Sequence, residues 1–269
     1  MIQRYQNLFK KLNLKKEIAF IPFVILGDPS FNISIKIIET LINNGADALE
    51  LGIPFSDPLA DGPTIQSSSL RSLKNNININ KCFEIINIIR KKYKEIPIGI
   101  LVYANIVFNK GIDNFYYNCS YEQIDSVLIA DLPIEESKLF NKSAIKNNIS
   151  TIFICPPNSN ENLIKKISFN SINYVYLLSR SGVTGIEKQA LKPINNLVTK
   201  LKKYNSAPVI QGFGISSIKH INNAIKSGIK GIIIGSFIIN IIEKYYKKPN
   251  KMIINIKKAA KEFKKATIY

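Results

Sequence analysis

Eight short apolar runs, each followed by a longer stretch with helical spacing, constrain the fold of this chain more than any other feature. The runs are Ala19–Leu26, Ala48–Leu51, Ile98–Val102, Ser126–Ile129, Thr151–Ile154, Tyr174–Leu178, Pro208–Gln211 and Gly231–Ile234. They are continuous rather than alternating, which suits strands buried on both faces of a parallel sheet. Between them lie amphipathic segments such as Ile33–Asn43, Lys81–Tyr93, Glu135–Lys146 and Ile194–Lys203. In the first of these, Ile33, Ile37, Ile38, Leu41 and Ile42 share one helical face. Gly45 and Gly228 then supply helix stops. No linker or low-complexity segment divides the chain. This pattern predicts an α/β fold, a single (β/α)8 barrel domain over residues 1–269 with a short N-terminal helix. An open doubly wound sheet is the rival, weakened because no G-x-G-x-x-G opens a first helix.

Composition narrows the function classes. The chain has 37 Lys and Arg against 19 Asp and Glu, a formal charge of +18, which would suit a polyanion binder. Only four of those cations are Arg, however, and the Lys are spread along the whole sequence. Base readers lean on bidentate Arg, and single-strand binders on aromatics among cations. Neither pattern stands out, so a solvated Lys-rich surface and no nucleic acid are expected. Three scattered cysteines, Cys82, Cys119 and Cys155, give neither a disulfide framework nor metal-ligand spacing. Lys15-Lys16 before the apolar run Ile18 to Leu26 imitates a signal peptide, but the run ends in turn chemistry, Gly27-Asp28-Pro29. A buried strand, no membrane span and a cytoplasmic location are expected.

Two excursions interrupt the compact repeats, Gly52 to about Asn80 after the second run and Ser179 to about Leu191 after the sixth. In a barrel, extended loops after strands 2 and 6 belong to the C-terminal face, where active sites are built. Glu50 sits inside the apolar run Ala48–Leu51. A carboxylate there is either an acid that exchanges protons in a desolvated mouth or a structural acceptor of backbone bonds. Asp61 follows in a loop stiffened by Pro54, Pro58 and Pro63, close enough in sequence to pair with Glu50. Asp57 in that loop reads as a turn residue. Gly212-Phe213-Gly214 after the seventh run and Gly235-Ser236 after the eighth place glycines where helices begin, and two such turns side by side suit phosphate. Ser179 to Gly185, with two glycines, suits a lid over substrate, and Tyr176 faces either core or site. His220, the only histidine, reads as a surface residue, so a nucleophilic triad or zinc hydrolase has no support.

The stretch from Leu49 through Gln66, LELGIPFSDPLADGPTIQ, resembles the signature of the tryptophan synthase alpha chain family. The similarity continues through Gly27-Asp28-Pro29, Tyr103-Ala104-Asn105, Phe153 to Pro157, Leu177 to Gly185 and Gln211 to Ser216. The resemblance implies a (β/α)8 barrel that cleaves indole-3-glycerol phosphate to indole and glyceraldehyde 3-phosphate. It implies no cofactor in this chain, and an α2β2 assembly that passes indole through a tunnel to a pyridoxal-phosphate beta chain. By resemblance Glu50 and Asp61 match the two catalytic carboxylates. Gly185, Gly214, Gly235 and Ser236 match phosphate binders, and Tyr176 an active-site tyrosine. Phe23, Leu101, Leu128, Ala130 and Ile154 match apolar positions around indole, and Thr184 a lid residue that closes onto Asp61. The loop through Asp57 and the stretch Asn105 to Asn109 match surfaces facing the beta chain. Phe237 departs from the family, which commonly has a small residue there, and a ring at that place would crowd the start of the phosphate helix.

Two other readings stand beside this one. A sugar-phosphate isomerase or related barrel enzyme would call for a catalytic Lys or His in a strand, and none is present. A non-catalytic barrel that only docks on and activates a beta-type partner would not need both carboxylates and both glycine turns.

Overall fold

A computed structural model describes residues 3–178, 195–212, 215 and 217–269. Eight strands pair in chain order, and the last pairs with the first, so the parallel sheet closes into a barrel. They are β1 (Ala19–Ile25), β2 (Leu49–Gly52), β3 (Ile98–Val102), β4 (Ser126–Ile129), β5 (Ser150–Cys155), β6 (Val175–Leu178), β7 (Val209–Gly212) and β8 (Gly231–Ile234). Closure excludes the open doubly wound sheet. The run that imitates a secretory leader is β1, buried along its whole length. Among the described residues no helix is long and apolar enough to cross a membrane.

Twelve helices occur among the described residues. They are α1 (Arg4–Lys15), α2 (Phe31–Asn43), α3 (Pro63–Lys74), α4 (Ile79–Lys92), α5 (Ala104–Lys110), α6 (Ile112–Tyr121), α7 (Lys138–Lys146), α8 (Glu161–Asn170), α9 (Asn195–Lys203), α10 (Ile218–Lys226), α11 (Ser236–Tyr245) and α12 (Pro249–Ala266). Successive side chains of a strand point to opposite faces. One set, including Ile100, Val102, Val127 and Ile232, packs outward against the helices. The other, including Ile21, Phe23, Leu101, Leu128, Ile152 and Tyr176, fills the barrel.

The excursion after β2 differs from expectation. Only 53–62 and 75–78 are loop; α3 begins at Pro63, in the first turn where a missing N–H costs nothing. Its serines disguised it as loop. Ser68, Ser69 and Ser72 form its buried face, where Ser68 bonds Asp28 and Ser72 Oγ donates to Leu26 O at 2.6 Å. The small side chains thus let the helix lie close against the chain leaving β1.

The N-terminal end of the barrel is plugged by α1, which inserts Tyr5 and Leu12 into the interior. Beside the plug, Asp125 bonds Arg4 at 2.9 Å, Arg90 at 3.0 Å and the Ile98 N–H at 2.8 Å. Burial lowers the Arg90 guanidinium to about 10 against the pull of Asp125. On the same side Lys264 of α12 spans Glu17 and Asp47 at 2.7 and 2.8 Å. These pairs close the face opposite the strand C-termini.

Candidate active site

Strand register sets the depth of each functional side chain. Glu50 pairs with Gly99, Gly99 with Ser126, and Ser126 with Ser150, forming one row around the barrel. Gly52, Leu101, Leu128 and Ile152 form the next row toward the C-terminal end. Leu101, Leu128 and Ile152 line a cleft of about 570 Å³, together with Asp61, Ala130, Ile154, Tyr176 and the segment Asp131 to Glu135. Glu50 therefore lies one layer beneath the row that walls this cleft, two residues down the strand or about 6.6 Å.

Glu50 is 2% exposed, and neither carboxylate oxygen has a hydrogen-bond partner among the described residues. Burial pushes its carboxyl up from 4.5 to about 8, and the nearby Asp61 charge adds to the rise. Of the two sequence readings, the structural carboxylate accepting backbone bonds is the one the geometry rejects. The row that Glu50 belongs to is polar. Gly99 leaves room for the Tyr5 hydroxyl and Ser126 Oγ, which lie 3.2 Å apart. Tyr174 belongs to the same group.

Asp61 ends the loop 53–62 at the cleft wall and is 5% exposed. Its N–H donates to Pro58 O at 3.0 Å, and Gln66 Nε2 donates to its carbonyl at 2.8 Å, so the backbone is pinned on both sides. Burial raises its carboxyl from 3.8 to about 6, opposed by a hydrogen bond that Tyr103 donates to Oδ2 at 3.0 Å. Sequence reasoning passed over Tyr103. The signal was available, since it immediately follows β3 at the barrel mouth.

Tyr176 faces the interior and the cleft, resolving its orientation. Its ring lies over Gly212 so closely that a Cβ there would fall 2.1 Å from the phenol carbon and oxygen. Phe23 fills the mouth against Gly235, where a Cβ would stand 3.0 Å from the ring. The start of α11, at Gly235 and Ser236, has no side-chain cap. Ser217 by contrast caps α10 by accepting from the His220 N–H. Of the two glycine turns, the one before α11 is thus the open helix start. Phe237 does not crowd it, because its ring turns outward onto Phe263 of α12 at 5.0 Å, edge to face. His220 is half-buried rather than on the surface. Thr184, Gly185 and Gly214, and the whole predicted lid, lie outside the described residues. Among the described residues no group of three or more His, Cys, Asp or Glu is placed to hold a metal ion. The arrangement offers two buried carboxyls with different proton affinities beside an apolar cleft, with an uncapped helix start at the adjoining strand end.

The family model described as "Tryptophan synthase alpha chain" matches residues 9–268. The curated alpha chain from Buchnera aphidicola subsp. Schlechtendalia chinensis is 55% identical over 267 residues, covering 99% of each chain. That of Escherichia coli O17:K52:H18 is 53% identical over 266 residues, again covering 99% of each. Among solved structures, one chain from Aquifex aeolicus VF5 superposes with a TM-score of 0.89 at 29% identity, covering 99% of both chains. Another, from the tryptophan synthase α2β2 complex of Pyrococcus furiosus, gives 0.80 at 31% identity, covering 92% of this chain and 97% of that one. The barrel, the carboxyl pair and a match along nearly the full length of the chain agree, and this chain belongs to the tryptophan synthase alpha chain family, the lyase that cleaves indole-3-glycerol phosphate in tryptophan biosynthesis.

Proposed function

We propose that Glu50 and Asp61 divide the proton chemistry of this cleavage between them. The observation that carries the assignment is the difference in their surroundings. Glu50 is enclosed with no donor among the described residues and holds its proton to about pH 8, whereas Asp61 is held by Tyr103 and ionises near 6. At neutral pH one is an acid and the other an anion.

Breaking the carbon–carbon bond is a retro-aldol step. The Glu50 carboxyl gives its proton to C3 of the indole ring, and positive charge develops at the ring nitrogen. Asp61 accepts the N–H of that ring and stabilises the cation. The Glu50 carboxylate then takes the proton of the hydroxyl beside the scissile bond. The bond breaks, its electron pair returns to the ring, and indole and an aldehyde separate with the proton count unchanged. Leu101, Leu128, Ala130, Ile154 and Tyr176 give the ring an apolar berth. The uncapped start of α11 at Gly235 and Ser236 takes the phosphate; the family resemblance assigns Gly185 and Gly214 to the same group and Thr184 to a lid over Asp61. Holding a remote, non-reacting group orients the bond to be broken.

The alpha reaction takes no cofactor, and pyridoxal phosphate belongs to the beta chain. On this reading the chain works as one barrel domain over residues 1–269, in the cytoplasm, as the alpha chain of an α2β2 assembly. Support comes from two exposed apolar side chains, Leu59 after β2 and Phe108 in α5, next to the segments matched to the docking surface. The test is indole release from indole-3-glycerol phosphate, with and without a beta chain, for the parent and for Glu50→Gln. The expected loss in the variant is about 10²–10⁴-fold, the range of a general acid–base contribution. Indole release surviving in Glu50→Gln would overturn the assignment. A parent that activates the beta chain but releases no indole would leave only the docking module.

A further inference from the structure

Tyr103 stands immediately beyond β3, 2% exposed, between the loop 53–62 and the cleft. Its hydroxyl accepts from the Ala60 N–H at 3.1 Å and donates to Asp61 Oδ2 at 3.0 Å. A phenol has one proton to give. Because the Ala60 amide approaches the oxygen as a donor, that proton is directed at the carboxylate. The ring is in turn stacked on Phe55, with centroids 5.1 Å apart and planes inclined by 27°. The next backbone N–H, that of Ala104, donates to Asp131 at 2.8 Å, which fixes the chain on the far side. The ring and hydroxyl of Tyr103 are thus held by the loop 53–62, and the chain that follows it by the segment after β4.

We propose that Tyr103 is the positioning residue of Asp61: its buried hydroxyl, aimed by the Ala60 amide, holds Oδ2 so that Oδ1 meets the ring N–H of the substrate. The inference rests on the reading of Asp61 as the group that accepts that N–H. Among the described residues, Glu50 from β2 and Tyr176 from β6 feel the Asp61 charge, and Asp131 and Glu135 from the segment after β4 line the same cleft. All are acidic or neutral, and no Lys or Arg is among the described residues that line the cleft. The Tyr103 bond is thus the interaction that favours the Asp61 anion against burial. Take it away, and Asp61 needs a higher pH to become the anion that stabilises the cation.

The experiment compares Tyr103→Phe with the parent, each as the full chain bound to a tryptophan synthase beta chain. Indole release is followed from pH 5 to 9, and the Asp61 carboxyl is titrated in parallel by carbon NMR. Losing one charge-stabilising donor is expected to lower kcat about 10–100-fold. KM should stay within about threefold, because the interaction strengthens only as charge develops. The acidic limb of the rate profile and the NMR midpoint should both rise, by about one pH unit. Phe55→Leu, which loosens the ring but keeps the hydroxyl, should move the midpoint less. An unmoved midpoint in Tyr103→Phe, or an equal move in Phe55→Leu, would reduce Tyr103 to packing and overturn the proposal. If the parent itself releases no indole, the catalytic reading falls, and the carboxyl titration still decides whether Tyr103 governs Asp61.

Discussion

Replacing Glu50 with Gln should make the protein more stable as the pH rises, by an amount the burial of the carboxyl sets. In the unfolded chain Glu50 ionises at its ordinary 4.5, whereas in the barrel it holds its proton to about 8. The folded value is the higher one. Stability from the protonated carboxyl is therefore complete below 4.5 and is lost as the pH climbs through 8. The two values lie about 3.5 pH units apart, and at about 1.4 kcal/mol each the full loss is about 5 kcal/mol, with about 3 kcal/mol gone by pH 7. Gln has the same shape and cannot ionise. The variant lacks this loss, whatever fixed cost its buried amide adds. The quantity to measure is the stability gap between variant and parent, in urea or by thermal unfolding, at half-unit intervals from pH 4.5 to 9. It should widen steadily in favour of Gln, on the order of 10 °C in unfolding midpoint for a chain of this size. Taking the difference cancels Asp125 and the other carboxylates that do not interact with Glu50, and leaves Glu50 together with its coupling to Asp61. A gap that stays flat within about 1 kcal/mol would mean that Glu50 ionises freely in the folded chain. The division of roles with Asp61 would then lose its basis.

Gly212→Ala places a methyl 2.1 Å from the Tyr176 ring and pushes that ring into the cleft; indole release should fall at least tenfold, on the order of one lost positioning contact, and Gly212→Ala with Tyr176→Leu should recover part of it. Asp125→Ala leaves Arg4 and Arg90 buried without their carboxylate. Urea unfolding should show a loss of about 3–5 kcal/mol, with indole release per folded molecule unchanged. Phe237→Ala should cost about 1–3 kcal/mol by removing the ring from Phe263, while KM for the substrate stays within about twofold; a large rise in KM would mean that the ring shapes the phosphate turn after all.

The strands were legible because a strand covered on both faces must be apolar throughout, and all eight fall within a residue or two of their runs. Glu50 was legible for the converse reason, a charge where only apolar residues are free to stand. Helix α3 was not, since Ser67 to Ser69 and three prolines read as loop until Asp28 and the Leu26 carbonyl supply partners from the turn after β1. The direction of Phe237 depends on α12, which nothing in the local sequence places there. The polar group around Glu50 was invisible because it is assembled from Tyr5, Gly99, Ser126 and Tyr174, four places in the chain whose register no single segment carries. Tyr103 belongs to the same class. Its role comes from a loop that folds back over it, and only its position at a strand end was written in the chain.

The separation of the two carboxyls is a property of place rather than of residue type. Free in water their values differ by less than one pH unit, 4.5 for Glu50 and 3.8 for Asp61; in the barrel they stand near 8 and 6. Both have lost water, and burial raises both. What divides them is the Tyr103 donor, which opposes the rise at Asp61, and the Asp61 charge, which adds to the rise at Glu50. Asp61 has the Tyr103 hydroxyl, while Glu50, one layer down, faces Gly99, which has no side chain to offer. Once Asp61 is an anion, its own charge holds the proton on Glu50, so the assignment of acid and base reinforces itself. Near pH 7, between the two values, the productive combination of protonated Glu50 and ionised Asp61 is the prevailing one. A second donor beside Glu50 would pull it toward Asp61 and reduce that prevalence. The bare backbone at Gly99 therefore contributes to the chemistry as directly as the Tyr103 hydroxyl does.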